Sequence, residues 1–183
     1  MIFWSLLISD YRKYKKYGGS FGSIVFFTQG FWAIIQYRLA HAVFQMRFPV
    51  VKQLLQAIML VWQKIIELST GISIPASVTI GHSFYIGHFG GIILNANAII
   101  GNNCNIAQGV TIGVSGKGSK RGVPTIGNDV YLGASAILAG NIKVGNNVLI
   151  GACSLVTTDV GDYSVMLGVP AIKISEKGSE GYI

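Results

Sequence analysis

The side chains best suited to moving a proton near neutral pH are three histidines, His41, His82 and His88. Imidazole both takes up and returns a proton in that range, which fits general acid–base work. His88 lies in the compact run IGHFGG (86–91), His82 stands six residues before it, and His41 closes YRLAH (37–41). The two cysteines, Cys104 and Cys153, have the spacing of neither a disulfide framework nor a metal site, and read as buried free thiols. The chain has no P-loop and no G-x-G-x-x-G unit, so it has no glycine-rich cradle for nucleotide phosphates.

The residues around His82 and His88 must be positioned by a row of hexads. Large aliphatic residues recur every six positions from Ile74 to Ile92; after a slip of two they resume from Leu94 to Ile112, and after a longer gap from Ile126 to Val156. A period of six suits neither a helix at 3.6 nor an ordinary strand at 2. It predicts a parallel β-helix, with aliphatic side chains stacked inward coil on coil and glycines and asparagines at the corners. Ile112 and Ile126 are fourteen residues apart, eight more than one hexad. The insert GVSGKGSKRGVPT (113–125) is rich in Gly, Ser and positive charge, which predicts a projecting loop. Pro170, in GVPAIKI (168–174), ends the hexads, and the polar SEKGSEGYI (175–183) is expected to be a flexible tail.

Residues 1–70 read as helices, broken by Gly18, Gly19 and Gly22 and again near Pro49, which suits the first turn of a further helix. In that last helix Lys52, Gln53, Gln56, Gln63, Lys64 and Glu67 share one sector of roughly 120°, and most of the remaining circumference is apolar. So wide an apolar face predicts packing within a helical cluster, a partner subunit or lipid. Composition agrees: 51% of residues are hydrophobic and 11% charged, which suggests surface buried in an oligomer or against a membrane. The formal charge of +7 is concentrated at the start, where residues 1–71 hold eight basic and two acidic side chains. Anionic headgroups or an acidic polymer would suit it, and no motif of a nucleic-acid binder accompanies it. No apolar run reaches the ~20 residues of a bilayer span and no signal peptide is evident. A cytoplasmic location, peripheral to the inner face of the plasma membrane, is the expectation.

The landmarks GISIPASVTIG (71–81), IGHFGGIILN (86–95), IAQGVTIG (106–113), LGASAILAGNIKVGNNVLIGACSLV (132–156) and GVPAIKI cover more than half of the chain. In them the chain resembles the hexapeptide-repeat acyltransferases, and within these serine acetyltransferase and, more closely, the O-acetyltransferases of bacterial capsule and exopolysaccharide such as colanic acid. The resemblance implies an α+β fold: a helical segment (1–70), used for oligomerisation or for membrane or polymer contact, then a left-handed parallel β-helix (71–174). It implies acetyl-CoA as co-substrate, no metal, and an active site between neighbouring β-helices of a homotrimer, extendable to a dimer of trimers.

By the same resemblance His88 is the general base. Gly133, Ala134, Gly151 and Ala152 are candidates to line the pantetheine groove, and Lys117, Lys120, Arg121 and Lys173 to meet the coenzyme's phosphates. His82 is the alternative base, and His41, in a run similar to one in serine acetyltransferase helices, reads as structural. The serine acetyltransferase pattern has an aspartate where this chain has Ser73, and a loop histidine before proline where Val123 precedes Pro124. Ser73 and Asn95 are therefore the candidate orienters of His88. These departures favour acetylation of a hydroxyl on a surface polysaccharide or its lipid-linked precursor. Serine O-acetylation in cysteine biosynthesis is the alternative, and a non-catalytic β-helix scaffold a third reading.

Overall fold

The structure, a computed structural model, describes residues 3–118 and 121–183. Four helices come first: α1 (Phe3–Lys16), α2 (Phe21–Phe27), α3 (Gln29–Phe44) and α4 (Pro49–Thr70). Ser20 starts α2 with a capping box, its hydroxyl accepting from the Ser23 N–H while the Ser23 hydroxyl accepts from the Ser20 N–H. Pro49 opens α4, where no N–H is needed. Gly71 ends it in the left-handed region at φ +67°, its N–H donating to Glu67 O.

Coil 1 holds β1 (Ile72–Ser73), β2 (Thr79–Ile80) and β3 (Tyr85–Ile86), and coil 2 holds β4 (Ile92–Leu94), β5 (Ile99–Ile100) and β6 (Asn105–Ile106). Coil 3 holds β7 (Thr111–Gly113), β8 (Thr125–Ile126) and β9 (Tyr131–Leu132), and coil 4 holds β10 (Ile137–Ala139), β11 (Lys143–Val144) and β12 (Leu149–Ile150). The last coil has β13 (Leu155–Val156) and β14 (Val165–Gly168), and β15 (Ala171–Ser175) returns antiparallel on β14. Stacked coils make three parallel faces: A, β1-β4-β7-β10-β13; B, β2-β5-β8-β11; and C, β3-β6-β9-β12-β14 with β15 at its edge. This is the left-handed parallel β-helix behind a helical segment that the hexads and the resemblance together predict.

Register explains both breaks in the period. Ile137 pairs with Leu155, eighteen residues or three hexads on; Ile72 pairs with Ile92, twenty on, and Thr111 with Ile137, twenty-six on. The slip of two is thus a widened corner at residues 87–91, and the surplus of eight is the projecting loop. The hexad aliphatics fill the centre, with Ile86, Ile112, Leu138 and Ile150 fully buried. One corner is tied by an amide ladder: the N–H of Asn102 donates to Asn128 Oδ1, that of Asn128 to Asn146 Oδ1 and that of Asn146 to Asp162 Oδ1, at 2.7–2.9 Å.

Helices α1 and α3 close the coil-1 end. The Tyr14 hydroxyl donates to Ile86 O at 2.8 Å, and the Tyr37 hydroxyl to Val78 O at 2.8 Å. Gly30 lies so close that a Cβ there would collide with Ile86 O. Arg38 Nε donates to Asp10 Oδ2 at 2.8 Å, its other nitrogens donate to Ile80 O and Gly81 O, and Asp10 accepts from the Phe84 N–H. The segment that leads into His88 is therefore held by α1 and α3 together, at residues 80, 81, 84 and 86.

Three expectations change. The 175–183 segment packs along face C instead of hanging free: Ser179 donates through its hydroxyl to Asp129 O, Asn105 Nδ2 donates to Tyr182 O, and the Tyr182 ring lies tilted against that of Tyr131, centroids 5.1 Å apart. Its polar atoms satisfy coil corners, which composition does not reveal. Cys153 is exposed, at a corner, and only Cys104 is buried. The initial basic cluster is not all surface, because Arg38 and Lys13 are buried. No helix among the described residues is long and apolar enough to cross a membrane.

Lys13 Nζ donates to Asn103 Oδ1 at 2.6 Å, and burial pulls its pKa down to about 8. An unfolded lysine keeps its proton to about pH 10.4. Between those values the unfolded chain binds more protons, so Lys13 makes stability rise with pH. The Cys104 thiol, pushed up to about 11 by burial, acts in the opposite sense from about pH 9, and the Tyr37 hydroxyl, pushed up to about 12, from about pH 10. The Lys13 contribution is isolated by difference. From pH 8 to 10, the wild type should gain up to about 3 kcal/mol relative to Lys13→Met in urea unfolding. Parallel pH profiles for the two would refute it.

Candidate active site

The site is built by one corner repeated coil after coil. His88 stands two residues beyond Ile86, at the turn from face C to face A. Gln108, Ala134 and Ala152 stand two residues beyond Ile106, Leu132 and Ile150, so they stack below it at the ~4.8 Å strand spacing. His88 and this column line a groove of about 750 Å³, in the size range of small-molecule sites. Gly133 and Gly151 floor it, and Leu167, Ile174 and Lys177 bound its far side. The structure thus brings His88, Gly133, Ala134, Gly151 and Ala152 together. Gly133 also has a packing reason, since a Cβ there would lie 2.6 Å from the Ala152 nitrogen. The alanines leave the opening: longer side chains at 134 and 152 would fill it.

The His88 side chain is exposed and makes no hydrogen bond to any described residue. Neither candidate orienter reaches it. Asn95 lies at the turn from A to B, where its Oδ1 accepts from the Asn97 N–H at 3.1 Å. The Ser73 hydroxyl donates to Glu67 Oε1 at 2.8 Å. Glu67 is a residue the sequence did not flag, because the contact joins a helix end to a strand across the Gly71 cap. Burial opposes its ionisation, but hydrogen bonds from Lys64, Ser73 and Gln63 outweigh that and hold its pKa below the usual range. A carboxylate supplied by α4 therefore stands against Ser73, the coil-1 position where the resemblance expects an aspartate. The His88 corner lies directly on this junction: Gly90 N–H donates to Thr70 O at 2.8 Å, and a Cβ on Gly71 would meet Gly90 Cα.

The other histidines are accounted for elsewhere. His41 Nδ1–H donates to Ala76 O and its Nε2 accepts from Gln45, so it ties α3 to coil 1. His82 sits at the turn from B to C, with Nδ1 3.1 Å from the Ser83 hydroxyl and outside the groove.

The basic candidates separate from the groove. Lys117 and Arg121 ride the loop, pinned at its base by paired backbone bonds between Ser115 and Gly122, at the turn from A to B. Lys120 lies outside the described residues. Lys173 points to Glu176, 2.7 Å away. Lys177 borders the groove instead, missed because a polar tail gave no reason to place it there. Gln108 was also missed, although counting two past Ile106, as His88 is two past Ile86, finds it. Among the described residues no group of three His, Cys, Asp or Glu side chains is arranged to hold a metal ion.

A profile described as bacterial transferase hexapeptide (six repeats) matches residues 124–158. A serine acetyltransferase of Synechococcus elongatus is 38% identical over 149 residues, 81% of this chain and 58% of that protein. One of Bacillus subtilis is 33% identical over 161 residues, 88% of this chain and 71% of that protein. Of solved structures, a serine acetyltransferase in complex with cysteine superposes with a TM-score of 0.82 at 30% identity, covering 94% of this chain and 70% of that one. One in complex with CoA gives 0.76 at 29% identity, covering 93% and 67%. The chain thus spans about three-fifths to seven-tenths of these relatives' lengths. All four are serine acetyltransferases, so the expected closer likeness to capsule and exopolysaccharide enzymes finds no support in them. The chain belongs to the hexapeptide-repeat transferases, as a relative of the bacterial serine acetyltransferases.

Proposed function

We propose that this chain transfers acetyl from acetyl-CoA to the hydroxyl of L-serine, with His88 as general base. The observation that carries the reading is His88 at the head of a column of small residues, in a chain that superposes along 94% of its length on a serine acetyltransferase. The small side chains of Ala134 and Ala152 leave room for the extended pantetheine arm, and Lys177 is a basic residue of the groove's lining. His88 takes the proton of the acceptor hydroxyl as its oxygen attacks the thioester carbonyl; the C–S bond breaks, and the departing thiolate takes the proton from His88. Preorganised N–H donors stabilise the charge on the carbonyl oxygen. An ionised carboxylate beside the coil-1 junction, Glu67, would suit the ammonium of an amino-acid acceptor, which would share it with Lys64.

A glycan hydroxyl is the second reading, favoured by Ser73 and Val123, where two polar recognition groups are missing. A radiolabelled acetyl-transfer assay with L-serine and a polysaccharide panel separates the two. Transfer to glycan alone would overturn the first reading. Failure to bind CoA in titration calorimetry would overturn both in favour of a scaffold.

Assembly is part of this proposal. The loop lies at the A–B edge and the groove at the C–A edge, so Lys117 and Arg121 meet a groove only on a neighbouring copy. A homotrimer with shared sites is expected by light scattering, and a fully active monomer would overturn it. Helix α4 adds a second surface. Val51, Leu54, Ile58, Val61, Ile65 and Leu68 alternate at spacings of three and four, and all are exposed. That is a heptad seam with β-branched residues at one position and mostly leucine at the other, the pattern of a two-stranded helix pair. Ile58→Glu with Val61→Glu should halve a dimer of trimers to trimers and leave turnover per site unchanged.

A further inference from the structure

We propose that the outer face of α1 and α2 docks on an anionic lipid surface, an inference that does not depend on the acetyl acceptor. Helix α1 turns Asp10, Lys13 and Tyr14 to the β-helix, which leaves Trp4, Ile8, Arg12 and Lys15 along its solvent side. Helix α2 buries only Ile24 and exposes three phenylalanines. Phe21 lies 6.2 Å from the Tyr11 ring, so the two helices form one surface. Trp4 is 65% exposed, Phe21 63%, Phe26 62% and Phe27 79%. Four bare aromatic side chains on adjoining helices have no counterpart in a face meant only for water.

Charge identifies the occupant. Arg12, Lys15 and Lys16 are exposed on the helix that carries Trp4: Lys15 shares the Trp4–Ile8 side, and Arg12 and Lys16 follow on the flank that borders Ser83 and Asn103. The one acid in residues 3–27, Asp10, is fully buried against Arg38, so the exposed face of α1 and α2 carries no negative charge. Aromatic side chains that enter the headgroup boundary, with a cationic fringe and no acid, are the signature of an interfacial amphipathic element. The α4 seam differs: it is aliphatic, regular at heptad spacing and suited to another helix.

The test is flotation of the full chain with vesicles of phosphatidylcholine alone or with 30% phosphatidylglycerol, at 0.1 M and 0.5 M salt. Binding should require the anionic lipid and weaken at the higher salt. Arg12→Gln, Lys15→Gln and Lys16→Gln together should weaken it about 100-fold, at roughly fivefold for each charge near the surface. Phe26→Ser with Phe27→Ser should weaken it at least tenfold. All five positions are exposed, so thermal unfolding and CoA binding should match wild type, which separates loss of docking from loss of fold or of the proposed activity. Absence of wild-type flotation, equal binding to neutral vesicles, or loss in the basic variant with full retention in the Phe variant would each overturn the proposal. So would a lipid-free oligomer that the Phe variant dissociates, since the patch would then belong to a second copy.

Discussion

His88→Ala should lower turnover by a factor of about 10² to 10⁴, the contribution expected of a positioned general base. The affinity for CoA should stay within about twofold, because His88 lines only the coil-1 end of the groove, which continues past Ala134 and Ala152 to Leu167, Ile174 and Lys177. The expected signature is a fall in kcat with little change in the Michaelis constant for acetyl-CoA, as for a group that acts in the transition state. His82→Ala is the control. His82 stands at a different corner against Ser83, so its loss should cost little turnover. If His82→Ala proved the more damaging, the assignment of the base would be wrong. Glu67→Gln should raise the Michaelis constant for L-serine without altering that for acetyl-CoA if the carboxylate serves the amino acid; no change would confine Glu67 to holding the α4–coil 1 junction.

The hexads made the β-helix legible because each inward aliphatic has an equivalent on the next coil, so one short rule is written many times along the chain. The same rule located the projecting loop and showed a slip of two, which the count set between Ile92 and Leu94; the strand register moves it to the corner at 87–91. It could not show what the helices do. Asp10 and Arg38 are 28 residues apart on two helices, and neither position carries a periodic signal that marks it as buried. Lys13 looked like one more member of a surface cluster, yet its amine fits the Asn103 corner. Glu67 and Ser73 meet only because Gly71 turns the chain sharply between helix and strand. The apolar face of α4 was legible from its wheel. That its own neighbours leave it uncovered was not, because coverage depends on how α3 packs and not on α4's sequence.

Arg38→Ala should destabilise the chain by about 3–5 kcal/mol, the cost of removing one partner from a buried ion pair. Its side chain is 1% exposed and that of Asp10 is fully buried. Removing the guanidinium leaves the Asp10 carboxylate with the Phe84 N–H as its remaining partner, and it leaves the Ile80 and Gly81 carbonyls without their donors. Burial already pushes the Asp10 pKa up against the pull of Arg38, so without that pull the carboxyl should take up a proton rather than stay charged. The predicted loss is a large share of the 5–15 kcal/mol that a typical domain has in total. Asp10→Leu with Arg38→Met removes both charges and should cost less than the sum of Asp10→Ala and Arg38→Ala, because neither charge is left alone. Urea unfolding checks both statements. Arg38→Lys, which keeps the charge but loses the fork, should fall between the wild type and Arg38→Ala. The damage should also reach the site, since the clamp grips residues 80–84 just before β3 and His88. Turnover of Arg38→Lys should therefore fall more steeply on warming than that of the wild type. If Arg38→Ala cost less than about 1 kcal/mol, coil 1 would be held by its own stacking, and the helices would not be what positions His88.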